Sequence, residues 1–221
     1  MGGFLAPDIA LHLPGILLAY SIIFVGIFSP GPAVLAIIGT SMENGRGAGS
    51  ALAFGVVCGS AFWGVAAALG LSGILATYAE FLTFLKVAGG LYLLWLAWGA
   101  FKSARTPMNV NPRLQASSVN AQTEFSRMWT RGLLIHLMNP KAIVVWLATI
   151  ALGVSAQSPL WVSIAIVLGG IVISTLGNLG YAYFFSSPPV AAAYLKMRRP
   201  IQYVFGGFFG AAGLKLIFSR D

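Results

Sequence analysis

The chain has 221 residues, of which 58% are hydrophobic and only 8% are charged. Because soluble domains carry about a quarter charged residues, this composition excludes an ordinary soluble fold and favours a protein that folds in the lipid bilayer. The formal net charge is +8, but the lysines and arginines are scattered instead of forming a patch with interleaved aromatics, which argues against nucleic-acid binding.

Apolar stretches recur along the chain, and several reach the roughly 20 residues that a transmembrane helix needs. The N-terminal segment lacks the basic region of a cleavable signal, so the first stretch is expected to remain in the protein. We predict an all-α integral membrane protein with six transmembrane helices at residues 13–42, 47–71, 84–101, 132–153, 161–185 and 201–218. The polar segment 102–128 is expected to be a solvated cytoplasmic linker.

Basic residues mark one side of the membrane. They follow the first span, surround the linker and follow the fifth span, and translocation disfavours such loops. These loops are therefore expected to be cytoplasmic, with both termini outside. The residues concerned are Arg46, Lys102, Arg105, Arg113, Arg127, Arg131, Lys196, Arg198 and Arg199.

Prolines interrupt two of the predicted spans, each directly after a residue that can cap a helix. The first span contains SPGP at residues 29–32, and the fourth contains NPK at residues 139–141. Proline ends a helix because it lacks an N–H and clashes with the preceding turn, yet it is well tolerated directly after a cap. We therefore expect broken helices at Pro30 and Pro140, with Ser29 and Asn139 as caps of new half-helices.

Two half-helix N-termini near the bilayer centre would offer N–H groups and positive dipole ends to a carboxylate. Unwound carbonyls around Phe28 and Met138 could accept hydrogen bonds from an ammonium group, and a zwitterionic amino acid carries both groups. The alternative is a structural kink, since neighbouring groups can satisfy a backbone freed by proline. The candidate substrate-binding residues are Ser29, Pro30, Gly31, Pro32, Asn139, Pro140, Lys141 and Asn178.

Lys141 carries the strongest of these signals. At about 1.5 Å per residue from Arg131, it lies about 15 Å into the bilayer, where a charge costs roughly 2.5 to 3.5 kcal/mol. We expect it either to bind a substrate carboxylate or to change protonation during transport. A structural ion pair or a contact with carbonyls is the alternative.

The two halves of the chain resemble each other. LKVAGGLYLLWLAWGAFKS matches QYVFGGFFGAAGLKLIFSR, which pairs Gly89-Gly90 with Gly206-Gly207, and the two proline motifs also correspond. Three spans per half is an odd number, so the halves would be inverted in the membrane, as in many secondary transporters. The predicted organisation is a first three-helix repeat at 1–101, the linker at 102–128 and a second repeat at 129–221.

Other polar residues give weaker signals. Asn178, with Ser174 and Thr175 one turn earlier, gives the fifth span a polar face that either lines a pathway or bonds between helices. Glu43 and Arg46 form either a solvated loop pair or a cytoplasmic gate. His136, before the second break, is either hydrogen-bonded packing or a titrating group.

Glycines at GxxxG spacing allow helices to approach closely. Gly55 with Gly59, and Gly206 with Gly210, are expected to pack within the protomer, with a homodimer seam as the alternative. Cys58 is the single cysteine, so no intrachain disulfide is expected and the residue is interpreted as packing.

At these motifs the chain resembles the LysE/RhtB family of bacterial amino-acid exporters, the LysE-type translocators. The similar segments are residues 29–59, the GG helix LKVAGGLYLLWLAWGAFKS and RGLLIHLMNPKAIVVW. The resemblance implies a bacterial inner-membrane protein that exports amino acids or their derivatives, driven by protons or by exchange. It leaves the substrate open, and His136 stands where a more neutral polar residue is expected.

Three rival classes of membrane protein make different demands on the sequence. A channel for another small solute or ion would need a polar-lined helix through the full bilayer, whereas the spans show isolated polar points. An intramembrane enzyme would need a His/Asp/Glu cluster, a GxSxG motif or metal-ligand spacing, and the spans contain none. No cofactor or metal is therefore predicted. The third rival is a non-transporting accessory membrane protein, which a measurement of solute flux would distinguish from a transporter.

Overall fold

A computed structural model describes residues 5–29, 31–74, 91, 94–95, 97–106, 121–155 and 157–218. Pro30, Gly89-Gly90, most of the third predicted span and most of the linker lie outside the described residues. Within these residues every regular element is an α-helix. The helices are α1 (Leu5–Phe28), α2 (Pro32–Ile74), α3 (Ala121–Leu137), α4 (Pro140–Gly153), α5 (Leu160–Phe185) and α6 (Pro188–Phe218), and residues 97–105 are also helical.

Three of the described helices are long and apolar enough to cross a membrane: Ile9–Phe28, Pro32–Gly70 and Leu160–Phe185. A fourth crossing is possible if Gln122–Leu137 and Pro140–Gly153, which meet at a bend of 61°, form one broken span. The expectation of an all-helical protein with several apolar spans is therefore confirmed. The six-span inverted repeat stays a prediction.

Several boundaries differ from the predicted ones. Helix α2 continues past residue 42 into the second predicted span and changes direction at Gly45, whose φ of 82° is accessible because glycine has no Cβ. Helix α3 begins at Ala121, inside the predicted linker, and Met128 at the end of that linker packs into the core at 4% exposure. Helix α6 begins at Pro188, well before the sixth predicted span, and runs through Pro200.

Close packing through small residues sets the directions of the helices. A Cβ at Gly55 would collide with the carbonyl of Trp129, and one at Gly59 would lie 2.9 Å from the Cβ of His136, so α2 and α3 lie in contact and run in the same direction. This confirms that the first glycine pair packs within the protomer; Gly206 likewise faces Phe101.

Helices α1 and α4 pack against each other in opposite directions. Gly15 lies against Gly153, and Gly26 lies against Val145, so the end of α1 meets the start of α4. Trp146 of α4, at 2% exposure, is buried in one hydrophobic core with residues of α1 and α5. This packing brings the two helix breaks side by side.

Helix α5 joins two ends of the molecule that differ in charge. Its first residue follows Pro159, which lines a hollow with Leu11, His12, Ser155 and Gln157, none of them lysine or arginine. At the other end Arg46 Nε donates to Ser186 Oγ at 3.2 Å. About three turns into α6, two arginines donate to backbone carbonyls of residues 104 and 106: Arg198 to Thr106 O at 2.9 Å and Arg199 to Ala104 O at 3.2 Å.

Candidate functional site

The first helix break lies between Phe28 and Pro32. Ser29 is not the cap of the following helix, because its hydroxyl donates back to the carbonyl of Gly26 at 3.0 Å and so completes the end of α1. Gly31 occupies the cap position instead, since its carbonyl accepts the N–H of Leu35 at 2.9 Å. The predicted cap was therefore wrong by two residues: Pro32 takes the first helical position of α2.

The second break follows the prediction closely. Asn139 is the cap of α4, with Oδ1 accepting the backbone N–H of Lys141 at 3.1 Å, and Pro140 stands in the first turn. The Asn139 carbonyl also accepts the N–H of Ala142 at 2.9 Å. These N–H groups at the start of α4 are therefore already bonded, contrary to the expectation that this terminus offers unpaired donors.

Lys141 bridges the two breaks. Its side chain is buried, at 7% exposure, and Nζ donates to the carbonyl oxygen of Ser29 at 2.6 Å. Gly31 makes room for it, because a Cβ there would lie only 3.2 Å from Nζ. Among the described residues no carboxylate forms an ion pair with this ammonium group. Between a structural ion pair and a contact with carbonyls, the structure shows the carbonyl contact.

A small cavity of about 50 Å³ opens where the breaks meet. Its polar lining comes from Ser60, His136, Asn139, Lys141, Ser174 and Asn178, and the remaining wall is apolar. The volume holds a few water molecules at most, so it is smaller than an amino acid.

The predicted site residues divide into three groups. Gly31, Asn139, Lys141 and Asn178 line the cavity directly. Ser29 contributes its carbonyl to Lys141, while Pro32 and Pro140 stand at the two helix starts. Pro30 lies outside the described residues.

Helix α5 supplies a polar pair to the cavity. Asn178 Nδ2 donates to the carbonyl of Ser174 at 2.8 Å and to its hydroxyl at 3.1 Å, and both residues are buried. These bonds lie within one helix and leave the amide oxygen of Asn178 as an acceptor. The fifth span therefore has the polar face expected from its sequence.

Sequence reasoning missed two residues of this site. The indole N–H of Trp146 donates to Ser60 Oγ at 3.0 Å, which ties α4 to α2 beside the cavity. Ser60 gave a usable signal, since it is a polar residue in the middle of an apolar span. Trp146 gave none, because an aromatic residue in a membrane helix is unremarkable until its neighbours are known.

The residues expected to form a gate lie at the Gly45 kink of α2. Arg46 stacks on the ring of Tyr183, with its guanidinium 4.1 Å from the ring centroid, and donates to Ser186. It thus contacts the end of α5 and the residue after it, whereas the expected partner was Glu43. Their role as a gate stays a prediction.

Known proteins with similar sequences span nearly the whole chain. "Uncharacterized membrane protein YahN" of Escherichia coli is 28% identical over 94% of this chain and 91% of its own length. The threonine efflux proteins of Salmonella typhimurium and Escherichia coli are each 29% identical over 89% of this chain and 94% of their own. No solved structure shows significant similarity. The LysE type translocator family matches residues 24–220, and this multi-pass bacterial membrane protein belongs to that family.

Proposed function

We propose that this protein exports amino acids or amino-acid derivatives from the cytoplasm, as a secondary transporter of the bacterial inner membrane. The substrate would bind where the two helix breaks meet. The observation that carries this proposal is the buried ammonium group of Lys141, which bridges the breaks without an ion-pair partner among the described residues. The threonine efflux proteins among its relatives support an amino acid as substrate.

The charge of Lys141 supports binding of a carboxylate. A buried cation whose partner is a neutral carbonyl is costly, and an anion in the same position would compensate it better. The substrate carboxylate would replace the Ser29 carbonyl as the acceptor. Ala33 and Val34 line the cavity in the first turn of α2, where N–H groups have no intrahelical acceptor and the helix dipole favours an anion.

The size of the cavity supports a mechanism in which the helices move. At about 50 Å³ the site is too small for an amino acid, so it must widen to load and release substrate. Replacing the bond between Lys141 and Ser29 would remove the hydrogen bond that links the end of α1 to the start of α4. This is the kind of rearrangement that alternating access at a fixed site requires.

We also propose that export is coupled to protons. Burial in an apolar environment disfavours the charged form of an amine, so Lys141 is suited to release its proton when no anion is bound. An arginine at this position would keep the charge and hardly ever release a proton. Lys141→Arg therefore separates the two roles: retained export favours carboxylate binding alone, and lost export with intact binding favours coupling.

Counterflow of labelled amino acids in proteoliposomes tests the proposed function. Wild-type protein is expected to exchange at least one neutral amino acid, such as threonine, faster than empty liposomes. Lys141→Met keeps most of the length but removes the charge, so exchange should fall at least tenfold while insertion remains normal. The matched control is Lys102→Met, which removes an exposed lysine next to Trp98 and should exchange at the wild-type rate.

Two outcomes would contradict the proposal in different ways. If wild-type protein exchanges no amino acid, the proposed function is wrong. If Lys141→Met is present in the membrane at normal levels and exchanges at the wild-type rate, the protein is an exporter but its lysine is structural.

A further inference from the structure

His136 stands in the last turn of α3, just before the second helix break, and lines the same cavity as Lys141. Both of its ring nitrogens are buried, and neither has a hydrogen-bond partner among the described residues. Buried polar groups are nearly always bonded, so an imidazole with two unsatisfied nitrogens needs an explanation. Packing alone would be served better by an apolar side chain.

The backbone around His136 holds the ring at the cavity. Gly59 of α2 lies directly against it, and any side chain there would collide with the histidine Cβ at 2.9 Å. On the other side, the carbonyl of His136 accepts the N–H of Asn139 at 3.1 Å, which ties the residue to the cap of α4. These contacts hold the backbone and Cβ of His136 beside the cavity that the residue lines.

Burial and the ammonium group of Lys141 both disfavour a charged imidazole at His136. Two cations lining one small apolar cavity repel each other strongly at low dielectric, so His136 is neutral while Lys141 is charged. A neutral imidazole has one N–H donor and one nitrogen acceptor. The cavity thus contains a cation for a carboxylate and an uncharged acceptor nearby.

A zwitterionic substrate also brings an ammonium group, and the described lining contains no carboxylate to receive it. Two other acceptors are already in use, since the Ser29 carbonyl accepts from Lys141 and Ser60 Oγ accepts from Trp146, while the amide oxygen of Asn178 is a further acceptor in the lining. The acceptor nitrogen of His136 is buried and unbonded. We propose that His136 binds the ammonium group of the substrate and is a specificity-determining residue for α-amino acids, an inference that rests on the proposed function.

Binding of threonine and of 3-hydroxybutyrate, which lacks the ammonium group, isolates this contact. Affinities for the purified full-length protein are measured by calorimetry, with a panel of neutral amino acids alongside threonine. Wild-type protein should prefer threonine. His136→Phe, which keeps the ring shape without an acceptor, should weaken threonine binding about tenfold or more and leave 3-hydroxybutyrate unchanged, because one hydrogen bond to a charged group is lost.

Three control variants make the result specific. His136→Asn keeps an amide acceptor and should retain part of the preference for threonine. Lys141→Met should weaken both ligands by the same factor, since both carry the carboxylate. His12→Phe changes the other histidine, which packs against Trp161 at 5.8 Å between ring centroids, and should bind like wild type. If His136→Phe does not fold, His136→Ala takes its place.

The outcomes separate this inference from the proposed function. If the preference for threonine is the same in wild type and His136→Phe, His136 only packs and the inference is wrong while the exporter stands. If both ligands weaken equally in His136→Phe, the residue acts on the shape of the site and not on the ammonium group. If wild type binds no amino acid of the panel, the proposed function fails and the inference fails with it.

Discussion

Replacing Asn139 with alanine tests whether the cap holds the second helix break in place. The side chain accepts the N–H of Lys141 at 3.1 Å, and Asn139 is only 5% exposed. Removing a cap costs about 1 kcal/mol on average, and leaving a buried donor unbonded costs about 1 to 3 kcal/mol. Because water has little access to this position, we expect Asn139→Ala to lower the free energy of unfolding by about 1 to 3 kcal/mol.

The chain offers a matched control for this hydrogen bond. Ser158 Oγ accepts the backbone N–H of Ser155 at 3.0 Å, which is the same kind of bond at an exposed position. Water can replace the lost acceptor there, so Ser158→Ala should change stability by no more than about 0.5 kcal/mol. Asn139→Ser retains an acceptor and should fall between the two.

Unfolding in mixed micelles with increasing denaturing detergent gives the three stabilities, and counterflow in proteoliposomes gives the transport rates. Because the cap sets where α4 begins, Asn139→Ala should also slow exchange of substrate, whereas Ser158→Ala should not. Equal stability losses in Asn139→Ala and Ser158→Ala would refute the reasoning, since burial would then make no difference to the bond.

Three further predictions concern packing and topology. Gly132→Ala would drive a Cβ into the carbonyl of Leu52 and should lower the free energy of unfolding by about 1 to 3 kcal/mol in the same assay. Gly180→Ala, where a Cβ would meet no described atom within 4 Å, should leave it unchanged or raise it slightly. Reporters fused near Asn111 should behave as cytoplasmic and reporters at both termini as external, because loops rich in lysine and arginine stay in the cytoplasm and Arg46 lies at the C-terminal end of α5, where it bonds Ser186. A linker found outside would overturn this orientation. An experimental structure should superpose the first three spans on the last three after a half-turn about an axis in the membrane plane, and unrelated halves would exclude the inverted repeat.

The sequence was sufficient for features that depend on composition and local backbone chemistry. A chain with 8% charged residues and long apolar stretches has to satisfy its backbone within helices, so the fold class followed directly. Asn139 before Pro140 identified a helix start, because the cap bond and the missing proline N–H involve only neighbouring residues. The limits of α5 were likewise predicted to within one residue.

Local chemistry was ambiguous at the first break. SPGP contains two prolines, and both can follow a helix end, so the sequence could not decide which of them starts α2. The structure selects Pro32, because Ser29 completes α1 and its carbonyl is needed by a lysine 112 residues away in the chain. That partner belongs to another helix and leaves no trace in the local pattern.

By itself, the sequence determined that this is a helical membrane protein whose helices break near Pro30 and at Pro140, and that Lys141 lies among apolar residues. Only the tertiary structure decided that Lys141 bonds to Ser29, that the first-turn N–H groups of α4 are already occupied, and that His136 lies unbonded in the same cavity. Helix formation depends on residues within a few positions of each other, whereas a binding site depends on which faces of distant helices pack together. Here that choice is made by glycines such as Gly59 and Gly31, whose missing side chains let the helices approach and leave room for the polar groups.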